Sequence, residues 1–378
     1  MSLNARITKD PTGVYWLEWD TDPNAVAYDI ITPAGGHVQA GKKAVRAKLG
    51  SGLTEPVHAM IASARPGAYE KADYPAVIPP PPPPPPPSSG IDDYKGICLY
   101  RDEDFAKAAS LAGIKHARCD WPSAARVQAA KAAGIELLPI ADYSRDSGDG
   151  HHAPADFNAW ADKVVAAALG DWQHPRAVEV WNEPWGSGFW TNPDPVAYYR
   201  LVATLAPKLW AALPDCLLVV AADATGSKNV TGTDKWRTPM LAADTAKLLT
   251  DPRIRPATHN YCDARPPEAH TSSPDSWDFD RYQGAHRDFL AHGHPTGMVW
   301  NTEYGWQAGA GTALIPYTPV TEQQQADYIV RAIKMMQSSG IVERSYAFHF
   351  KTNDAWNYNW LRTDNTPKPV CAAVKALA

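Results

Sequence analysis

After residue 92 the chain alternates between short apolar runs and longer amphipathic stretches. The apolar runs predict eight strands buried on both faces, at 94–99, 114–118, 136–140, 177–181, 217–221, 257–261, 297–302 and 345–350. Alanine-rich stretches with helical spacing lie between most of them, at 124–133, 155–168, 196–212 and 321–338. This alternation predicts an α/β fold, a (β/α)8 TIM barrel, for residues 92–378.

Residues 1–76 have a different pattern, in which short runs of alternating apolar and polar residues are separated by turn residues. The runs cover 14–19, 25–31, 44–49 and 57–62, with Pro, Gly, Asn and Ser between them. This spacing is typical of an antiparallel β-sandwich. The order of a tryptophan-containing strand, an Ala-Val-Ala-Tyr-Asp-Ile strand and a late Val-His-Ala strand resembles a compact fibronectin type III domain.

An unbroken run of nine prolines, residues 79–87, separates the two patterns. Proline cannot continue a helix or a central strand, so the run predicts a polyproline II segment. At about 3.1 Å per residue it would extend roughly 28 Å. We therefore interpret residues 77–91 as a semi-rigid linker, with a ligand for an SH3 or WW domain as the alternative.

The composition narrows the class of protein. The 378 residues are 44% hydrophobic and 20% charged with a net charge of −5, which argues against a nucleic-acid partner. The sequence contains no run of 18 apolar residues that would predict membrane insertion. It also has no recognisable signal-peptide core, so we expect a cytoplasmic or virion-associated protein. The five cysteines are odd in number and lack metal-binding spacing, which favours buried thiols over disulfides.

Two glutamates follow predicted barrel strands among aromatic residues. Asn182-Glu183-Pro184 ends the fourth strand between Trp181 and Trp185, and Glu303 ends the seventh. The proline stops the strand, so Glu183 should lie at its mouth. Because the C-terminal ends of barrel strands form one face, the two carboxylates are expected to converge. A pair of carboxylates is what cleavage of a glycosidic bond requires.

Other residues at the same face have the chemistry to support such a pair. Arg118 ends the second strand, His259 and Tyr261 lie on the sixth, and Trp356 follows the eighth. Trp356 lies in a polar loop and Trp306 follows Glu303 closely, so both are candidates to stack on a sugar ring. The alternatives are an ordinary ion pair for Arg118, and core positions for His259, Tyr261 and the tryptophans.

This set of residues resembles the clan A glycoside hydrolases, which include families 5 and 39. The likeness rests on Asn-Glu after strand four, glutamate after strand seven, arginine on strand two and His-x-Tyr on strand six. It implies that Glu183 is the general acid/base and Glu303 the nucleophile of a retaining mechanism. It also implies that Arg118 and Tyr261 bind Glu303, and that Asn182 contacts the sugar 2-hydroxyl. No cofactor and no metal site are implied.

The sequence therefore predicts a retaining O-glycoside hydrolase with a poly- or oligosaccharide substrate. The alternative is a catalytically inert carbohydrate-binding or structural protein built on the same barrel. A sandwich, a proline linker and a barrel would also suit a phage tail-associated depolymerase of cell-wall glycans. In that case the N-terminal unit would bind virion tail proteins. The histidines at 151–152, 292 and 294 lack a third ligand at metal spacing and are interpreted as loop residues.

Overall fold

A computed structural model shows how these patterns fold. It describes residues 5–9, 14–20, 27–31, 37–41, 44, 46–51, 57–63, 70–74, 90–142, 152–222, 236–269, 278–309, 318–352 and 357–377. The chain divides into two compact units, Met1–Pro84 and Pro85–Ala378. The predicted linker is outside the described residues except for its last two positions, 90 and 91.

In its described residues, the first unit contains seven antiparallel strands in two sheets. The strands are β1 (Arg6–Lys9), β2 (Val14–Glu18), β3 (Ala27–Ile31), β4 (His37–Gly41), β5 (Arg46–Ser51), β6 (Val57–Ser63) and β7 (Glu70–Tyr74). One sheet has the order β1-β2-β5 and the other β4-β3-β6-β7. Side chains from both sheets, including Leu17 and Ile30, form one buried cluster. The predicted small all-β unit is confirmed, and its likeness to fibronectin type III remains a prediction.

Trp19 belongs to the core of this unit. Its side chain is 2% exposed, and its ring lies 5.2 Å from that of Tyr28. Trp16 is half-buried, and the Arg46 guanidinium lies 3.9 Å above its ring. Both rings therefore have protein partners.

The second unit is a closed barrel of eight parallel strands. The strands are β8 (Gly96–Cys98), β9 (His116–Asp120), β10 (Glu136–Ala141), β11 (Ala177–Val180), β12 (Leu217–Ala221), β13 (Ile254–His259), β14 (Val299–Tyr304) and β15 (Val342–Ala347). The barrel closes where β15 pairs with β8, with Tyr346 opposite Gly96. The predicted TIM barrel is confirmed. β13 and β15 each begin three residues earlier than predicted, at 254 and 342 instead of 257 and 345.

Eight α-helices accompany the strands in the described part of this unit. They are α1 (Asp104–Ala112), α2 (Ala124–Ala132), α3 (Phe157–Leu169), α4 (Pro195–Ala212), α5 (Arg237–Ala243), α6 (Tyr282–His292), α7 (Glu322–Ser339) and α8 (Pro369–Lys375). Polar caps begin three of the longer ones: Asp156 and Asp194 accept backbone N–H groups of α3 and α4, and Thr321 forms a capping box with Gln324 at α7. These local signals explain why the helices begin near the predicted positions.

The barrel interior contains an apolar layer. Leu138, Val219, Trp300 and Tyr346 belong to a buried cluster contributed by several barrel strands. All five cysteines are buried and free, as predicted. Among the described residues, no helix has both the length and the apolar character needed to cross a membrane.

Closure of the barrel depends on the small size of Gly96. A Cβ atom there would lie 2.3 Å from the Ser345 carbonyl oxygen and 2.7 Å from Cδ1 of Tyr346. We expect Gly96→Ala to lower the free energy of unfolding of the barrel by about 1–3 kcal/mol, measured by urea denaturation. Gly90→Ala is the control, because no heavy atom lies within 4 Å of its added Cβ. Equal stability of the two variants would contradict this account.

Candidate active site

The segment after β11 leaves the barrel in an unusual backbone conformation. Trp181 has φ +67° and Glu183 has φ +39°, a region that L-residues rarely adopt. The Trp181 indole donates to the Phe189 carbonyl oxygen at 2.8 Å, and its ring lies 5.1 Å from that of Trp190. These contacts hold the turn in place. Strained backbone of this kind is enriched at functional sites, where the surrounding structure must maintain it.

Arg118 lies at the centre of the charged groups inside the barrel. Its side chain is 1% exposed, and it donates to oxygen atoms of three residues that lie on or just after β11 and β14. Nη1 donates to Oε1 of Glu303 at 2.5 Å, Nε to Oε2 of Glu179 at 2.5 Å, and Nη2 to Oδ1 of Asn182 at 2.8 Å. Burial lowers the pKa of Arg118, but Glu179 and Glu303 outweigh it and raise the pKa well above its usual range. The guanidinium is therefore permanently charged.

Glu303 is enclosed by hydrogen-bond donors. It is 5% exposed, and in addition to Arg118 it accepts the Tyr261 hydroxyl at Oε2, at 2.7 Å. Burial and the charge of Glu303 raise the pKa of Tyr261 well above its usual value, so the phenol remains a donor. The Tyr261 ring is held edge-on by Tyr358 and Phe348 at 5.5 and 6.4 Å. Each oxygen of the Glu303 carboxylate therefore accepts a hydrogen bond.

Glu183 has a different environment. Its side chain is 20% exposed, and Oε1 lies 2.7 Å from Nδ1 of His259. The same nitrogen lies 3.5 Å from Oε2 of Glu303. Burial lowers the pKa of His259, but Glu303, Glu179 and Glu183 outweigh it and raise the pKa from 6.5 to about 9. At neutral pH His259 is therefore a cation that donates to Glu183.

The two predicted carboxylates converge at this face. An oxygen of Glu183, an oxygen of Glu303 and a ring nitrogen of His259 all lie within 4.8 Å of one another. In glycoside hydrolases the two carboxyl groups are about 5–5.5 Å apart in retaining enzymes and about 6.5–9.5 Å in inverting ones. The nearest approach of the two carboxylates is thus shorter than the separation typical of inverting enzymes.

These three side chains also form the one group, within the described ranges, whose ligand atoms converge closely enough to hold a metal ion. Their chemistry fits a metal poorly. Both oxygens of Glu303 already accept from Arg118 and Tyr261, and a metal ligand must be a neutral imidazole, whereas His259 has a raised pKa. The group is better suited to holding and moving a proton.

Trp306 is the one of the two tryptophans predicted to stack on a sugar ring that lies within the described residues. Trp306 is 1% exposed, its indole donates to the Arg265 carbonyl oxygen at 2.8 Å, and its ring stacks on Phe279. Its ring is thus covered by protein, contrary to the expectation of a sugar-stacking surface. Trp356 lies outside the described residues. Trp185, half-buried, meets His259 edge-on at 5.3 Å and borders this cluster.

Glu179 is a member of the charged cluster that the sequence analysis did not identify. It lies within β11, is 2% exposed, and accepts both Nε and Nη2 of Arg118. A signal was present in the sequence, because a carboxylate inside the apolar run Ala-Val-Glu-Val needs a buried cation. Nothing in the local pattern indicates that the cation is Arg118, 61 residues earlier.

The chain matches no protein-family model and no curated protein. Its fold is similar to solved enzymes that share few of its residues. A GH39 enzyme from Xanthomonas axonopodis pv. citri has 18% identity and a TM-score of 0.53, over 76% of this chain and 66% of that one. A monomeric β-xylosidase from Caulobacter crescentus CB15 has 16% identity and a TM-score of 0.54, over 75% of this chain and 67% of that one. A glucosidase from Croceicoccus marinus has 14% identity and a TM-score of 0.56, over 76% and 67%.

This chain therefore spans only about two thirds of the length of those enzymes. At such low identity the similarity establishes a shared barrel fold. Any activity must be argued from the side chains at the site.

The raised pKa of His259 makes a testable contribution to stability. Protonation of His259 stabilises the folded chain fully below pH 6.5, and this contribution disappears as the pH rises through about 9. The loss should be on the order of 3 kcal/mol. We expect the barrel's urea stability to fall over this range in the wild type and to fall less in His259→Asn. His152→Asn, at an exposed histidine, should follow the wild type. Parallel curves for wild type and His259→Asn would contradict the assignment.

Proposed function

We propose that the protein is a retaining O-glycoside hydrolase that cleaves a poly- or oligosaccharide by double displacement. The observation that carries this proposal is the close approach of two carboxylates in unlike surroundings. Glu303 is nearly buried and accepts two donors, whereas Glu183 is 20% exposed and contacts the His259 cation. One carboxylate is thus held charged and the other is accessible for proton exchange, which is the division of roles that retention requires.

In the first step Glu303 acts as the nucleophile. A Glu303 oxygen forms a bond to the anomeric carbon while the bond from that carbon to the leaving oxygen breaks. Glu183 gives its proton to the leaving oxygen, so no free alkoxide forms. Arg118 and Tyr261 orient the Glu303 carboxylate through their hydrogen bonds of 2.5 and 2.7 Å.

In the second step the covalent glycosyl-enzyme is hydrolysed. Glu183, now a carboxylate, removes a proton from a water molecule whose oxygen attacks the anomeric carbon. The bond between that carbon and Glu303 breaks, and Glu303 leaves with its electron pair. Two inversions at the same carbon retain its configuration, and Glu183 regains the proton it lost.

The charge of the cluster supports this change of role. Glu179, Glu183 and Glu303 face two cations, Arg118 and His259, so three ionised carboxylates leave one surplus negative charge. A proton on Glu183 removes that surplus. The glycosyl ester removes it instead by neutralising Glu303, which then allows Glu183 to remain ionised and act as a base.

Asn182 is placed to contact the sugar. Its Oδ1 accepts from Arg118 at 2.8 Å, which leaves its NH₂ group to donate to a hydroxyl of the substrate. The resemblance to clan A enzymes assigns this contact to the 2-hydroxyl. Such a bond strengthens as the oxocarbenium-like transition state forms.

The sugar and the biological setting are separate hypotheses. The fold neighbours include a β-xylosidase and a glucosidase. We propose a glycan substrate that a panel including actinobacterial cell-wall arabinan and galactan would identify. Proton NMR of the first product should show the anomeric configuration of the substrate, and an inverted product would contradict the mechanism.

Saccharide binding without product release would indicate an inert binding protein. A phage tail-associated role predicts that the gene lies among virion genes.

Replacing the proposed nucleophile should abolish turnover. We expect Glu303→Ala to lower kcat by about 10⁴-fold or more on the substrate found by the panel, because no covalent intermediate can form. Glu268→Ala, at an exposed carboxylate paired with Arg331, is the control and should retain activity. Full activity in Glu303→Ala would refute the double displacement.

Replacing the proposed acid/base should give a loss that depends on the leaving group. We expect Glu183→Ala to lose about 10²–10⁴-fold in kcat/KM on poor leaving groups, which need a proton. On dinitrophenyl glycosides of the same sugar the first step should be nearly unaffected. Azide should accelerate the second step and give a glycosyl azide of retained configuration. A uniform loss on all substrates without azide rescue would contradict this role.

A further inference from the structure

Glu179 lies beneath both proposed catalytic carboxylates. It lies four residues before Glu183 on β11, and its side chain is 2% exposed. Its oxygens accept from Arg118 at 2.5 and 3.1 Å, and Oε1 lies 3.9 Å from Nε2 of His259. One buried anion therefore lies against both cations of the site.

Each of these cations also contacts a different proposed catalytic group. Arg118 donates to Glu303, and His259 lies 2.7 Å from Glu183. We propose that Glu179 is a positioning residue that fixes Arg118 against Glu303 and His259 against Glu183, and so links the surroundings of the two carboxylates. This inference rests on the proposed function.

The geometry of Arg118 explains the first link. A guanidinium is planar, and a carboxylate that accepts two of its N–H groups fixes the orientation of that plane. Glu179 accepts Nε and Nη2, and the plane then directs Nη1 to Glu303 at 2.5 Å. Without Glu179, Nε would lose its partner, and the orientation of the plane would depend on the bonds from Nη1 to Glu303 and from Nη2 to Asn182.

Charge explains the second link. Burial alone opposes a protonated imidazole, and the anions around His259 reverse that effect. Glu179 approaches Nε2, while Glu183 and Glu303 approach Nδ1. With Glu179 neutral, His259 would lose one of the three anions that hold its imidazole protonated.

A purely structural ion pair is the competing explanation, and the chain offers a matched comparison. Glu343 lies near the start of β15, at the opposite end of the barrel, and its Oε2 contacts Arg255 and accepts Nε1 of Trp300 at 2.9 Å. Glu343→Gln removes a largely buried charge from an arginine pair, as Glu179→Gln does. A loss of packing or stability alone would affect both variants, whereas a link to the reaction would appear only in Glu179→Gln.

The test compares the pH dependence of kcat/KM in wild type, Glu179→Gln and Glu343→Gln. We expect Glu179→Gln to lose about 10–100-fold at the optimum and its alkaline limb to move to lower pH, because His259, with one anion fewer beside it, loses its proton at a lower pH. Glu343→Gln should keep the wild-type limbs. An unmoved alkaline limb in Glu179→Gln, with a loss equal to that of Glu343→Gln, would overturn the proposal.

A second measurement does not need activity. In protein with ¹⁵N-labelled histidine, and with His259→Asn to assign the signal, His259 should titrate near pH 9 in wild type and lower in Glu179→Gln. If wild type cleaves no glycan, the proposed function fails, while this titration still tests whether Glu179 holds His259 charged. An unchanged titration would overturn that link.

Glu179→Asp covers the case in which Glu179→Gln does not fold. It keeps the negative charge but is one methylene shorter, so it cannot contact both cations at the wild-type distances. We expect kcat/KM to fall about 10-fold while the alkaline limb and the His259 titration stay near their wild-type positions. Wild-type kcat/KM in Glu179→Asp would overturn the positioning role.

Discussion

The buried guanidinium of Arg118 constrains the rest of the site. A charge removed from water is tolerated only when anions and hydrogen bonds compensate its lost hydration. Arg118 obtains them from Glu179 on β11 and Glu303 on β14, strands that do not neighbour β9 in the barrel. The bonds therefore cross the interior, where they form a charged cluster in addition to the apolar layer around Trp300 and Tyr346. The position of Glu303 is determined by this pairing as much as by its own strand.

The asymmetry between the two proposed catalytic carboxylates follows from that arrangement. Glu303 lies on a barrel strand and accepts hydrogen bonds from Arg118 and Tyr261. Glu183 lies beyond the end of β11, in a turn with positive φ. Residues on strands are enclosed and fixed, and residues just past them are accessible. A carboxylate enclosed by donors and a carboxylate partly open to solvent thus arise from two positions in one fold. Nδ1 of His259 lies 2.7 Å from Glu183 and 3.5 Å from Glu303.

The sequence predicted the barrel because burial on both faces produces apolar runs that are visible without any knowledge of strand pairing. It placed β15 three residues late, since the aromatic residues Phe348, partly buried, and Phe350, buried, continue the apolar pattern beyond the last strand residue, Ala347. It brought Arg118, Glu183, His259, Tyr261 and Glu303 to one face, because strand ends in such a barrel share an edge. The sequence did not show that the Trp306 ring is covered by Phe279, and it did not identify Glu179 as a member of the charged cluster. Both errors concern tertiary partners, which a local pattern does not contain.

The division between strands and loops also explains how a distant relative could keep a reaction while changing its substrate. The charged groups argued to perform the chemistry are Arg118, Glu179, His259 and Glu303 on strands, with Glu183 three residues beyond one. Their partners are one another, so their geometry depends on strand register. In such barrels the substrate is bound largely by the loops that follow the strands, which tolerate substitution because few buried contacts depend on them. A change in those loops would alter which ligand binds, while the contacts among Arg118, His259 and the three glutamates would stay in place.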